Sequence, residues 1–150
     1  MAATSYRYRL LKGATWGMAI DLRAESAPLP DGPLPPAAVK VAEGLWLQMD
    51  VGRPSTEEEL AFLGLGLRLV AADVAERRSG PILVRVEDLE YNPCDYQPEG
   101  LALAVAEWAA REFGFPEPET SVAFDRDQNR YVFSFDQPAP RLGRSATAGN

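Results

Sequence analysis

The order of apolar patterns along the chain predicts an α+β domain, built as a single mixed β-sheet with two α-helices on one face. Three observations lead there. Period-two alternation, the mark of a strand with one buried face, recurs before, between and after two stretches of three-and-four spacing, the mark of helix. A strand pattern at 82–89 separates the two helical stretches, so strands and helices share one core. A length of 150 residues, 46% hydrophobic and 25% charged, suits one globular domain, here spanning 1–136.

Residues 6–11 and 14–23 read as two strands joined at Lys12-Gly13. In the second, Trp16, Met18, Ile20 and Leu22 alternate with Thr15, Gly17, Ala19 and Asp21. Residues 27–36 hold five of the 13 prolines and read as a loop or spacer, with a ligand for a proline-reading domain as the functional alternative. Residues 38–51 give one or two strands turned at Glu43-Gly44. There Leu45, Leu47, Met49 and Val51 face one way and Trp46, Gln48 and Asp50 the other.

The stretch 55–78 reads as one helix. Ser55 with Glu58, or Thr56 with Glu59, supplies a capping box, and the three glutamates suit the helix dipole. Leu60, Leu63, Leu67, Val70 and Val74 form its apolar face. Gly64 and Gly66 each cost about 1 kcal/mol against alanine, which predicts close approach to the sheet. After Ser79-Gly80-Pro81 comes a strand over 82–89, then a loop over 91–100. A second helix follows from about Pro98 to Phe113, with Leu101, Val105 and Trp108 inward and Gly114 as its stop. Residues 120–125 and 130–136 pair as a hairpin, and 137–150 lose all pattern and read as a disordered tail. The unit from Leu45 through the long helix to Ile82 places those two strands parallel.

The inventory of reactive groups is short. With no histidine and one cysteine, the chain has no imidazole base, no Ser-His or Cys-His couple and no thiolate metal cluster. Neither a metal nor a cofactor is expected. A net charge of −7 argues against nucleic acid and anionic lipid. No apolar run is long enough to span a membrane and the N-terminus has no apolar signal core, so the expected compartment is the cytoplasm. Only Lys12 and Lys40 are lysines among 15 basic residues, which reads as the codon bias of a GC-rich bacterial genome.

Binding candidates concentrate in the loop before the second helix. Tyr91, Asp95, Tyr96 and Gln97 offer aromatic faces, a carboxylate and an amide on a rigid scaffold. The competing reading has Asp95 capping the turn and Tyr91 packing on the sheet. Trp46 falls on the strand face opposite Leu45 and Leu47, so on a sheet covered on one side it is an exposed aromatic, with Arg7 or Arg9 as candidate neighbours. Cys94 reads as incidental, since Asp95 beside it opposes a thiolate. The acidic run of Glu87, Asp88, Glu90, Asp95 and Glu99 reads as a solvated edge. Asp125, Asp127 and Asn129 mimic the start of a calcium loop, but Arg130 stands where that loop needs glycine, and a hairpin turn explains them better.

The stretch Gly80-Pro81, the strand to Leu89, Tyr91-Asn92-Pro93-Cys94-Asp95 and a helix opening with Leu101, Ala102 and Ala104 resembles the fourth domain of elongation factor G and its relatives. That family reads Tyr-His-x-Val-Asp in its loop. Tyr91 and Asp95 match in place and spacing; Asn92 stands where the family has histidine and Leu101 where it has phenylalanine. The resemblance implies a ribosomal protein S5 domain 2-like fold. It also implies, as one function, a stand-alone translation-factor-like domain acting at the ribosome, without GTPase activity, since no nucleotide-binding domain accompanies it.

The leading expectation is a non-enzymatic module that binds a protein partner through the open sheet face and the loop, by way of Trp46, Tyr91, Asp95, Tyr96 and Gln97. The open face could also serve a homo-oligomer. The third reading is a small-molecule enzyme working through the carboxylates of Asp95 and Glu99.

Overall fold

The computed structural model describes residues 2–12 and 16–135. Among them the chain forms β1 (Thr4–Leu10), β2 (Met18–Pro28), β3 (Val39–Ala42), β4 (Leu45–Met49), α1 (Glu57–Leu69), α2 (Ala71–Arg77), β5 (Ile82–Tyr91), α3 (Glu99–Phe113), β6 (Ser121–Asp125) and β7 (Arg130–Ser134), with a 3-10 turn at Pro93–Asp95. The pattern-free stretch 137–150 lies outside the described residues.

Five strands make one mixed sheet in the order β1-β2-β5-β4-β3. The β4–β5 pair is parallel, as the strand-helix-strand unit requires, and the other neighbours are antiparallel. The hairpin β6–β7 does not join this sheet; it stands as a separate two-stranded one. Helices α1 and α3 pack side by side on one face, α3 over β1 and β2 and α1 over β3.

Alternation decides which side chains meet the helices. Met18, Ile20 and Leu22 are buried as expected, but the pattern continues through Ala24 and Ser26, so β2 runs on to Pro28 and takes in the first residues of the proline-rich stretch. Trp16 lies ahead of the strand. In β5 the register slips by one between Arg23 and Ala24 of its partner, leaving Glu87 as the extra residue of a bulge. The slip keeps Ile82, Val84 and Val86 on the core face before it and Leu89 after it.

The long helix takes the second of its two capping registers and is interrupted before its expected end. Thr56, not Ser55, is the N-cap, and the box closes with Glu59. The helix then breaks at Val70, whose φ of −114° leaves the helical region, so α1 and α2 are distinct. Val70 and Val74 are both fully buried across the break.

The two glycines of α1 have different roles. A Cβ on Gly66 would collide with the carbonyl of Ala102 and the side chain of Val105, so this glycine sets the close crossing of α1 against α3, not against the sheet. A Cβ on Gly64 would stand 3.4 Å from Val41 of β3, an ordinary contact. Gly66→Ala is therefore expected to lower unfolding free energy by about 2 kcal/mol through overpacking. Gly64→Ala is expected to be neutral or to stabilise by up to about 1 kcal/mol through helix propensity. Urea denaturation of the two variants checks the contrast; equal losses would contradict it.

Candidate functional site

The C-terminal end of β5, the first turn of α1 and the loop before it converge on one carboxylate, that of Glu59. Its place in the capping box puts it on the inward face of α1, three and four residues before Phe62 and Leu63, and its side chain is fully buried. Every lone pair has a donor. Oε1 accepts from the Thr56 amide at 2.9 Å and from Arg53 Nη1 at 3.1 Å. Oε2 accepts from Arg53 Nη2 at 2.8 Å and from the Tyr91 hydroxyl at 2.7 Å. Arg53 also reaches the Leu89 carbonyl at 3.3 Å. Burial alone would push the carboxyl up, but the Arg53, Thr56 and Tyr91 hydrogen bonds outweigh it and bring its pKa from 4.5 down to about 2.

Tyr91 carries this order outward. Its ring stacks on Tyr96, centroids 3.8 Å apart and planes within 12°. The Tyr96 hydroxyl donates to Glu58 Oε1 at 3.3 Å. Burial raises both phenols above their ordinary value, so neither is a proton donor in the neutral range. Between them runs the turn Asn92–Asp95. Asn92 Oδ1 accepts from the Cys94 amide at 2.9 Å, so Asn92 and not Asp95 caps it. Asn92, Pro93 and Cys94 are exposed, and the Asp95 carboxylate has no hydrogen bond or ion pair among the described residues. Two open depressions flank Tyr91. One of about 310 Å³ is lined by Arg53, Leu89 and Glu90, and one of about 510 Å³ by Ala19, Asp21, Glu90, Asn92 and Pro93.

Gln97 turns out to be internal. Its Nε2 donates to the Tyr131 carbonyl at 2.8 Å, and its Oε1 accepts from the Tyr131 amide, so one side chain pairs with β7 as a neighbouring strand would. Tyr131, fully buried, donates its hydroxyl to the Trp16 carbonyl at 2.7 Å, and Trp16 packs edge-on against Tyr131 and Phe124. These contacts seat the hairpin, and they leave no amide group of Gln97 for a ligand.

Trp46 is on the helix-free face, half-buried, in register with Leu83 on one side and Lys40 on the other. Arg7 and Arg9 are on β1, across β2 and β5, and are not its neighbours. Leu83 and Tyr91 are eight residues apart on β5, so the loop lies about 26 Å from Trp46 along the strand. The structure thus groups Tyr91, Asp95 and Tyr96, turns Gln97 inward and sets Trp46 apart. Much of the remaining helix-free face is knit by its own charges. Arg85 reaches Glu25, Glu87 and Asp50, Arg23 reaches Glu87, and Arg9 reaches Asp21.

The other sequence motifs have structural roles. Glu99 bonds Arg130 at 3.2 Å and Gln97 at 3.4 Å. Asp125 Oδ1 accepts from the Asp127 and Gln128 amides and so shapes the hairpin turn. Among the described residues no three acidic or cysteine side chains are grouped as a metal site. No described helix is long and apolar enough to cross a membrane. No protein-family model matches the chain, and no curated protein matches it either.

The Arg53–Glu59–Tyr91 knot escaped the sequence reading, which saw Glu59 only as a cap. Its signal was there: Glu59 continues the inward stripe of α1 toward the N-terminus. Because the folded pKa lies below the unfolded one, the stabilisation from this carboxylate is present above about pH 4.5 and is lost as pH falls toward 2. Glu59→Gln is expected to cost about 2 kcal/mol at pH 7. The gap from wild type should close over that acid range; a gap independent of pH would contradict the assignment.

Proposed function

We propose that this chain is a non-enzymatic interaction module that binds a protein partner through the turn at the end of β5, centred on Asn92–Tyr96. The observation that supports the reading is the Tyr91–Tyr96 stack. It is fixed from below by Glu59 and presents an exposed turn whose one carboxylate, Asp95, is unpaired. A surface held in place before binding loses little freedom on association, and tyrosine is enriched where proteins meet.

The catalytic reading has weaker support. Glu59 is ionised far below neutrality and surrounded by donors, and Glu99 is paired with Arg130. Burial raises Glu107, but that carboxylate lies between β1 and α3 with the Tyr6 hydroxyl on it, away from the turn.

Affinity capture from a lysate of the source organism tests the proposal with two surface variants. One protein in stoichiometric amount is expected with wild type and with Trp46→Ala. Asp95→Lys should reduce its recovery about tenfold by placing the opposite charge in the contact. Recovery unchanged by Asp95→Lys, lost with Trp46→Ala, or consisting of ribosomal proteins would overturn this reading.

A further inference from the structure

We propose that the outer edge of β1 takes an acidic, extended segment of a partner protein as an additional strand of the main sheet. β1 is the last strand on its side and pairs only with β2. Alternate residues of such a strand turn their amides and carbonyls away from the neighbour. Among the described residues, no backbone group of β1 bonds to backbone outside the β1–β2 pair. The strand therefore offers an open row of donors and acceptors along seven residues.

The two edges of the sheet differ. At the far edge, β3 has four residues, a break in register between Lys40 and Ala42, and Pro35 and Pro36 shortly before it. Those features resist further pairing. β1 has none of them. It pairs without a slip from Thr4 to Leu10 and contains no proline, glycine or lysine. It is also held in place from within. The Trp108 indole donates to the Thr4 hydroxyl at 2.9 Å, the Tyr6 hydroxyl donates to Glu107, and Tyr8 is buried. A strand fixed in this way loses little freedom when another pairs with it.

Charge decides what the added strand carries. Ser5, Arg7 and Arg9 form the exposed row of β1 on the helix-free face. Arg9 is paired with Asp21 at 2.9 Å, and Arg23, across from Ser5, reaches Glu87 at 3.7 Å. Arg7 stands opposite the same Asp21, yet it has no hydrogen bond or ion pair among the described residues. One uncompensated guanidinium thus lies at the open edge, in a chain with a net charge of −7. The side toward α3 is the reverse, since Glu107 and Glu112 accept from Tyr6 and Thr4 there. The strand that fits alternates carboxylates with apolar residues. Its carboxylates lie beside Arg7 and Arg9, and its apolar side chains beside the half-buried Tyr6 and Leu10. A second copy of β1 would instead bring its own Arg7 and Arg9 to the same face, like charges together.

Titration of the full chain with a seven-residue peptide alternating glutamate and valine tests this, read by calorimetry and by amide hydrogen exchange. Alternate amides of β1 should exchange about tenfold or more slower with the peptide bound. The peptide should bind about tenfold tighter than its lysine-valine counterpart. Methylating its backbone nitrogens should abolish binding, because the ladder would lose its donors. Arg7→Glu should weaken binding about tenfold at an unchanged melting temperature, while Lys40→Glu on β3 should leave it unchanged. Protection at β3 instead of β1, no preference for the acidic peptide, binding that survives methylation or Arg7→Glu, or no binding at millimolar peptide would each overturn the proposal. So would protection of β1 that rises with protein concentration alone, which would make a second copy the occupant.

Discussion

A buried charge must be matched where it lies, and Glu59 is matched from three directions: its own helix start through Thr56, the preceding loop through Arg53, and the end of β5 through Tyr91. Removing Arg53 would leave that buried carboxylate without its countercharge, which is costlier than losing an ordinary hydrogen bond. The geometry of the first turn of α1 therefore fixes where β5 stops and where the following turn begins. The Tyr91–Tyr96 stack and the exposed Asn92–Asp95 turn inherit their position from that requirement.

The rest of the molecule divides along β5. At its C-terminal end sit the charge knot, the stacked tyrosines and an unpaired carboxylate. At its N-terminal end sit Leu83 and Trp46 on the helix-free face, with a hollow close by at the level of Ile82. Between them, Arg85 and Arg23 are matched by Glu25, Asp50 and Glu87, which leaves the middle of that face polar and internally satisfied. The two ends of β5 thus differ in chemistry: one carries a tyrosine-supported turn, the other an open hollow with apolar walls.

The fold class was legible because it rests on periodicity. Met18, Ile20 and Leu22, then Leu45 and Leu47, then Ile82, Val84 and Val86, alternate without interruption, and each set is buried. Even the β5 bulge is visible in retrospect, as the step from Val86 to Leu89. Less legible was whatever depends on distant partners. Nothing local distinguishes Thr56 from Ser55 as cap; the decision falls to Arg53 and Tyr91, which need Glu59 and not Glu58 inside. Gln97 looks like a ligand-binding amide in a loop, and only the seating of β7 against it shows that its partner is the chain itself. Trp46 was placed on the correct strand face but beside the wrong neighbours, since strand order is not local information. The hairpin β6–β7 was recognised by its turn residues, whereas its separation from the main sheet depends on tertiary docking.

A double-mutant cycle between Arg53→Met and Tyr91→Phe, measured by urea denaturation at pH 7, tests the central claim most directly. The two side chains donate to the same oxygen of Glu59, Oε2, from different elements. If that carboxylate joins the helix start to the end of β5, the two losses will be non-additive by about 1 kcal/mol or more. Additivity within a few tenths of a kcal/mol would contradict the account, because each group would then be stabilising its own element alone.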